Sequence, residues 1–164
     1  ARSTAYQNCM MGNAGAGGVM LALGATDYFT KPSAEGGLEA SLAIIREQLV
    51  PKIKAVVAYY PPVDLRRMTG PSDRFPALDF PNAEAAAISP ILFVDAKDPP
   101  TLIVHGDADT LVNISSGQSI HVALKKAGVK TEMVIIKGGD HGFTNAEHRA
   151  EAGRAMAAWF KANL

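Results

Sequence analysis

Two carboxylates and a histidine have the types and spacing to do acid–base chemistry together. Asp107 and Asp109 lie in the segment HGDADTLV, directly after an apolar run, and His141 lies in the glycine-rich segment GGDHGF. His141 follows Asp109 by 32 residues, about the length of one helix plus one strand. Because the carboxyl ends of parallel strands meet at one edge of a sheet, we expect Asp109 to lie beside His141. A carboxylate there fixes the tautomer of the imidazole, which can then act as general base and acid.

The segment MMGNAGAGGVML, residues 10–21, has the layout of a turn that presents a nucleophile, yet it contains no serine. An apolar run, a glycine-rich turn and a second apolar pattern follow one another, as in a strand, a sharp turn and a helix. Two registers fit: Ala14 takes the nucleophile position with Gly12 and Ala16 beside it, or Gly15 takes it. Neither residue has a hydroxyl, so neither forms an acyl-enzyme. Such a turn could also bind phosphate, but the Walker lysine is absent.

The other polar candidates are expected to have structural roles. Asp107 is predicted to accept hydrogen bonds from loop N–H groups, and Asp140 is interpreted as a solvated loop carboxylate. His105 ends a strand, so we expect it to be packed or hydrogen-bonded to backbone. Cys9 lies in an apolar run and is interpreted as a buried, inert thiol. Helix starts and helix surfaces account for four further residues: Ser115, Ser116, His121 and His148.

Strand-like and helix-like segments alternate along the chain, which predicts one α/β domain over residues 1–164 with a parallel sheet. The predicted strands are QNCMMG, IKAVVAYY, PPTLIVHGD and KTEMVIIKGG. The predicted helices are Gly17 to about Ala25, 38–50, 115–129, and about Ala146 to Asn163. Residues 66–90 are rich in proline, aspartate and arginine and are predicted to form an irregular excursion, over a binding site.

Composition excludes several classes of function. The chain has 164 residues, 48 % of them hydrophobic and 20 % charged, with a formal net charge of zero. Without a basic patch, nucleic acid or an anionic membrane is a poor partner, and no apolar run approaches the roughly 20 residues that span a bilayer. A single cysteine allows neither an internal disulfide nor a cysteine-based metal site. No metal and no cofactor are expected.

These motifs together resemble the C-terminal part of an α/β-hydrolase. The resemblance is closest to carboxylesterases of the hormone-sensitive-lipase and feruloyl-esterase type, and extends to prolyl-oligopeptidase catalytic domains. PPTLIVHGDADTLV is similar to the family's acid loop and GGDHGF to its histidine loop, while AYYPPVDL and AISPILFV resemble segments between elbow and acid. The order of elbow, acid and histidine also agrees. The resemblance implies a Ser-His-Asp triad with Asp109 as acid, His141 as base, and Ala14 or Gly15 where the serine belongs.

The resemblance also implies what the chain lacks. The backbone N–H after the nucleophile, of Gly15 or Ala16, would be one oxyanion donor, and the family's early strands, which carry the other donors, are absent. The elbow strand would then lie at an exposed edge, so a second chain, a missing fragment or a dimer contact is expected to cover it. The predicted function is hydrolysis of small-molecule carboxylic esters, with this chain inactive. A non-catalytic binding scaffold and a prolyl-oligopeptidase-type peptidase are the alternatives.

Overall fold

The structure is a computed structural model that describes residues 19–22, 53–71 and 78–164. Its helices and strands, in chain order, are β1 (Val19–Ala22), β2 (Ala55–Tyr59), α1 (Asn82–Ala85), β3 (Thr101–Gly106), α2 (Ser115–Lys126), β4 (Thr131–Ile136) and α3 (Ala146–Asn163). Three single 3-10 turns accompany them: Leu65–Arg67, Ala86–Ile88 and Pro90–Leu92. Within these residues no helix has the length and apolar character that crossing a bilayer would require.

The strands form one sheet in the order β1-β2-β3-β4. β2, β3 and β4 run parallel, with Ala58 opposite Ile103 and Ile103 opposite Met133. β1 pairs antiparallel with the outer edge of β2, and Val19 lies opposite Ala58. The parallel sheet that the alternating sequence pattern predicts is therefore present, and β3, its central parallel strand, leads into the acid loop.

Helices cover both faces of this sheet. All six residues of β3 are buried, which matches a strand with a packed layer on each side. Leu102 and Val104 pack in a cluster with Trp159 of α3, whereas Ile103 packs with Ile120 of α2. Because successive side chains of a strand point to opposite faces, α3 and α2 lie on opposite sides of the sheet. The result is a three-layer α/β architecture.

Near its start the chain differs from the sequence prediction. The apolar pattern predicts a helix from Gly17 to about Ala25, but the structure has strand β1 at Val19–Ala22. A short apolar run bounded by glycines has no periodicity that separates helix from strand, and the outer edge of β2 offers backbone groups that a strand can pair. The strand predicted at QNCMMG and the helix predicted in 38–50 lie outside the described residues.

Both long helices follow the prediction closely. α3 begins after Asn145, whose side chain accepts a hydrogen bond from Glu147 N at 2.7 Å. α2 begins at Ser115, where Asn113 accepts from Ser115 N at 2.9 Å. α2 ends at Lys126, before the predicted end at 129, and Gly128 just beyond it has a φ of 82°, which glycine adopts without strain.

The excursion after β2 contains only short helical turns among its described residues. Its buried Ser89 donates a hydrogen bond to Ala85 O at 2.7 Å and accepts one from Leu65 N at 3.0 Å. One hydroxyl thus joins the two ends of the excursion. These contacts satisfy buried backbone groups that no regular element would pair.

Candidate active site

The acid loop after β3 holds the Asp109 side chain in a fixed position. The Asp109 carboxylate accepts hydrogen bonds from Leu111 N at 2.8 Å and Val112 N at 2.9 Å, both through Oδ1. The side chain is fully buried. A buried carboxylate needs such donors, because burying an unpaired ion costs on the order of several kcal/mol. Oδ2 is therefore left for a partner from another element.

The histidine loop after β4 is bound directly to the acid loop. Ala108 N donates to Gly139 O at 3.0 Å, and Asp107 N donates to Ile136 O at 3.2 Å. A Cβ on Gly106 would lie 2.0 Å from Gly139 O, so only glycine permits the two backbones to approach this closely. The Asp107 side chain accepts from Gly138 N, in the structural role that the sequence predicts for it.

These two loops bring Asp109 and His141 together. His141 Nδ1 lies 2.8 Å from Asp109 Oδ2, and the imidazole side chain is 14 % exposed. A carboxylate accepts hydrogen bonds only, so Nδ1 carries the proton and Nε2 is left as the basic nitrogen. Nε2 makes no hydrogen bond to the part of the chain that the structure describes. The geometry is that of a general base with its orienting carboxylate.

His105 lies close to the same carboxylate oxygen that His141 contacts. Its Nε2 lies 2.8 Å from Val112 O and 3.3 Å from Asp109 Oδ2, and its side chain is fully buried. Val112 O can only accept, so Nε2 carries a proton and donates it to that carbonyl, while Asp109 Oδ2 lies at ion-pair distance. The sequence predicts the backbone bond of His105. It gives no signal for the contact with Asp109.

Gly117 of α2 makes room for this second histidine. A Cβ on Gly117 would lie 2.7 Å from His105 Nδ1, and this nitrogen has no hydrogen-bond partner among the described residues. The missing side chain lets α2 pack directly on the ring. His105 is therefore held by packing at Nδ1 and by the hydrogen bond to Val112 O at Nε2.

Two aromatic residues that the sequence analysis does not single out also surround the imidazole. Tyr60 follows β2 directly, and its ring centroid is 4.2 Å from that of His141 at an interplanar angle of 52°. Phe143, two residues after His141, packs edge-on against Tyr60 with centroids 5.4 Å apart. Burial, together with the negative charge of Asp109, raises the pKa of the Tyr60 phenol above its ordinary value, so this ring is neutral beside the pair.

The remaining predicted candidates lie away from this pair or outside the described residues. Asp140 accepts from Thr144 N at 2.9 Å and Thr144 Oγ1 at 2.6 Å, and these hydrogen bonds lower the pKa of its exposed carboxyl. His121 is hydrogen-bonded to Thr131 at 3.1 Å. His121 and His148 are both half-buried, on α2 and α3 respectively. The nucleophile and oxyanion candidates all precede the described residues: Ala14, Gly15 and Ala16.

The described side chains do not form a metal site. No group of three or more His, Cys, Asp or Glu side chains clusters within residues 53–71 and 78–164. His141 Nδ1 is hydrogen-bonded to Asp109 Oδ2, and His105 Nε2 is hydrogen-bonded to Val112 O. The chemistry that this arrangement supports is proton transfer at His141 Nε2.

A parallel sheet between two helix layers, with Asp and His on the loops after neighbouring strands, defines the α/β-hydrolase class. The fold present in this chain is a partial one of that class. The sequence model of the prolyl oligopeptidase family matches residues 35–164. The chain therefore belongs to the prolyl oligopeptidase family.

Three similar proteins include two peptidases and an esterase. Dipeptidyl-peptidase 5 of Porphyromonas endodontalis is 42 % identical over 55 residues, which cover 34 % of this chain and 8 % of that protein. The propionate-bound thermophilic esterase Est2 of Thermogutta terrifontis is 26 % identical with a TM-score of 0.52, covering 67 % of this chain and 43 % of that one. A puromycin-hydrolysing peptidase of Mycobacterium tuberculosis has the same fold, with 22 % identity, a TM-score of 0.60, and coverage of 77 % and 20 %. The chain thus spans less than half the length of each.

Proposed function

We propose that this chain carries the acid and base of a serine hydrolase that acts on carboxylic esters. The observation that carries the proposal is the 2.8 Å contact between His141 Nδ1 and the buried Asp109 carboxylate. This contact fixes the tautomer in which Nε2 can accept a proton, and it places a negative charge where an imidazolium would form. Membership of the prolyl oligopeptidase family and the likeness to an esterase support a hydrolase of this type.

The proposed reaction is acyl transfer in two halves. A serine hydroxyl at the elbow attacks the ester carbonyl while His141 Nε2 takes its proton, and Asp109 stabilises the resulting imidazolium. His141 then gives that proton to the departing alcohol as the C–O bond breaks, which leaves an acyl-enzyme. Water attacks the acyl carbon by the same route, and the acid and the serine are released.

The elbow in this chain has no hydroxyl, so the proposal includes that the chain as written is inactive. The nucleophile position is Ala14, or Gly15 in the alternative register, and the N–H that follows it would donate to the oxyanion. Each missing oxyanion donor costs roughly 10²–10³ in rate. A natural loss of the serine and a deliberate exchange by alanine would give the same protein chemistry.

Restoring the serine tests the proposal. Ala14→Ser and Gly15→Ser are prepared separately, alone and together with the early half of the fold, and assayed on a p-nitrophenyl ester. One of them is expected to gain hydrolysis, and adding His141→Ala should then lower kcat by roughly 10²–10⁴-fold. His121→Ala is the matched control, since His121 bonds Thr131 at the opposite end of the sheet. No gain in either serine variant, or a gain that survives His141→Ala, would overturn the proposal.

A peptidase is the second candidate, because the matching family and dipeptidyl-peptidase 5 are peptidases by name. The same acid and base serve amide and ester cleavage, so the described residues do not separate the two. Both serine variants are compared on a p-nitrophenyl ester and on a dipeptidyl p-nitroanilide. A higher kcat/KM on the anilide would assign a peptidase. If neither substrate is cleaved, a binding scaffold remains.

A further inference from the structure

Backbone strain in the described residues is concentrated beside His141. Only two non-glycine residues in that part of the chain have a positive φ, Tyr60 at 39° and Phe143 at 50°. L-residues with large side chains rarely adopt this region, and such strain persists only where the surrounding structure enforces it. The two residues come from different loops, yet their rings are in contact with each other. The strain therefore marks one local arrangement built from both loops.

Tyr60 is held in this conformation from both sides. Its N–H donates to Val104 O at 2.8 Å, which continues the pairing of β2 with β3. The next residue, Pro61, has its carbonyl bound by Ser116 Oγ at 2.7 Å, and Ser116 Oγ also accepts from Val63 N at 3.1 Å. A residue before proline is already restricted in its backbone conformation. Helix α2 thus fixes the turn that directs the Tyr60 ring.

The consequence of this strained turn is a ring packed on the imidazole. The centroids of Tyr60 and His141 are 4.2 Å apart, and Phe143 supports Tyr60 edge-on at 5.4 Å. Asp109 holds the other side of the imidazole through Nδ1. A cation within about 6 Å of an aromatic centroid is attracted to the ring. An imidazolium formed at His141 would meet that condition.

We propose that Tyr60 is a positioning residue for His141, whose ring keeps the imidazole in the plane of its hydrogen bond to Asp109 and stabilises the imidazolium. This inference rests on the proposed function, because the imidazolium that Tyr60 would stabilise is the one formed during acyl transfer. The face of the ring carries the effect and the hydroxyl does not. Phenylalanine at position 60 should therefore preserve it, and a side chain without a ring should abolish it.

The choice of variants separates positioning from a merely structural role. Tyr60→Asn removes the ring while tolerating a positive φ, so the turn is expected to persist. Tyr60→Phe keeps the ring and is the rescue variant. Tyr59→Leu is the matched control, since Tyr59 also contacts Phe143 and Tyr60 but makes no recorded ring contact with His141. Damage to packing alone would affect both positions.

The first measurement uses the chain itself and needs no activity. In NMR spectra, nuclear Overhauser contacts between the ring protons of Tyr60 and His141 are expected, and the His141 ring protons should carry a ring-current shift. That shift should persist in Tyr60→Phe and in Tyr59→Leu and disappear in Tyr60→Asn. Absence of the contacts in the unchanged chain would overturn the inference, and this outcome does not depend on how well any variant folds. His141 resonances that do not move in Tyr60→Asn would overturn it as well.

The second measurement uses whichever serine variant hydrolyses esters. Tyr60→Asn is expected to lower kcat by about 2- to 30-fold with KM unchanged, the range expected of one cation–π contact made in the transition state. Tyr60→Phe should restore kcat. A kcat that does not change in Tyr60→Asn would refute the role of Tyr60 and leave the triad intact. The opposite pattern, NMR contacts as expected but no hydrolysis by either serine variant, would refute the proposed function and with it the imidazolium role.

Discussion

Replacing Gly106 by alanine is the most direct test of how the site is assembled. The added Cβ would lie 2.0 Å from Gly139 O and 2.4 Å from Gly139 C, where ordinary contacts are 3.4–4 Å. Both of these atoms are backbone, so no side chain can rotate away. Gly106 ends β3 and Gly139 lies in the histidine loop, so the substitution must force the two site loops apart.

The expected cost follows from the contacts that have to move. Overpacking of this kind destabilises by about 1–3 kcal/mol. Shifting Gly139 also weakens the 3.0 Å hydrogen bond from Ala108 N, worth about 0.5–1.5 kcal/mol. Alanine restricts the unfolded chain and returns about 0.4–1 kcal/mol. The net loss in the free energy of unfolding is therefore about 0.5–4 kcal/mol.

Denaturant titration followed by tryptophan fluorescence measures this loss. Trp159 is the chain's single tryptophan and is 4 % exposed, so unfolding changes its emission. Gly153→Ala is the matched control: this glycine lies within α3 and a Cβ there meets nothing within 4 Å. Alanine in a helix interior should stabilise by about 0.5–1 kcal/mol. The same substitution is thus expected to have opposite signs at the two positions.

The reasoning would be refuted if Gly106→Ala were as stable as the unchanged chain. It would also be refuted if the variant were unstable but kept the hydrogen bond between Asp109 and His141. That bond is observable as a downfield imidazole N–H resonance, which should weaken or vanish when the histidine loop moves. Gly153→Ala should leave the resonance in place.

Three further predictions follow from the same contacts. His105→Leu deprives the buried Val112 carbonyl of its donor and removes the polar contact with Asp109. The free energy of unfolding should therefore fall by about 1–3 kcal/mol, measured by the same titration. Burial raises the pKa of Tyr60 in the folded protein above 10.0. Its contribution to stability is therefore present below pH 10 and is lost as the pH rises through the folded-state pKa. In thermal melts at a series of alkaline pH values, Tyr60→Phe should lose less stability than the unchanged chain. Hydrogen bonds from Thr144 lower the pKa of Asp140 in the folded protein below 3.8. The contribution of this carboxylate to stability is therefore present above pH 3.8 and is lost as the pH falls through the folded-state pKa. Over that acidic range, Asp140→Asn should lose less stability than the unchanged chain in the same melts.

Each of these predictions has an outcome that contradicts it. Equal stability of His105→Leu would mean that the hydrogen bond from His105 to Val112 O contributes nothing. If Tyr60→Phe loses as much stability at alkaline pH as the unchanged chain, another titrating group causes that loss. Tyr59 also has a raised pKa and would be the next candidate. An acid profile of Asp140→Asn identical to that of the unchanged chain would show that the Thr144 hydrogen bonds do not favour the ionised carboxyl.

Much of the site geometry could be predicted because it depends on local patterns. The apolar run before HGDADTLV and the glycines in GGDHGF determine where β3 and β4 end, and parallel strands place their ends side by side. The 32-residue separation of Asp109 and His141 therefore predicts that the two loops are neighbours, and the structure places the two side chains 2.8 Å apart. The helices α2 and α3 can be predicted equally well, since apolar spacing and helix-end residues are local signals.

What the sequence by itself determined is the order of elements and the meeting of Asp109 with His141. Tertiary structure alone decided the rest: that β1 pairs as a strand, that His105 shares the Asp109 carboxylate, and that Tyr60 packs on His141. Pairing of β1 depends on an available strand edge, and the contacts of His105 and Tyr60 depend on the backbone path of two or three loops at once. Periodicity and spacing carry no information on such paths. The positive φ of Tyr60, for example, is enforced by partners distant in sequence and not by its own residue type.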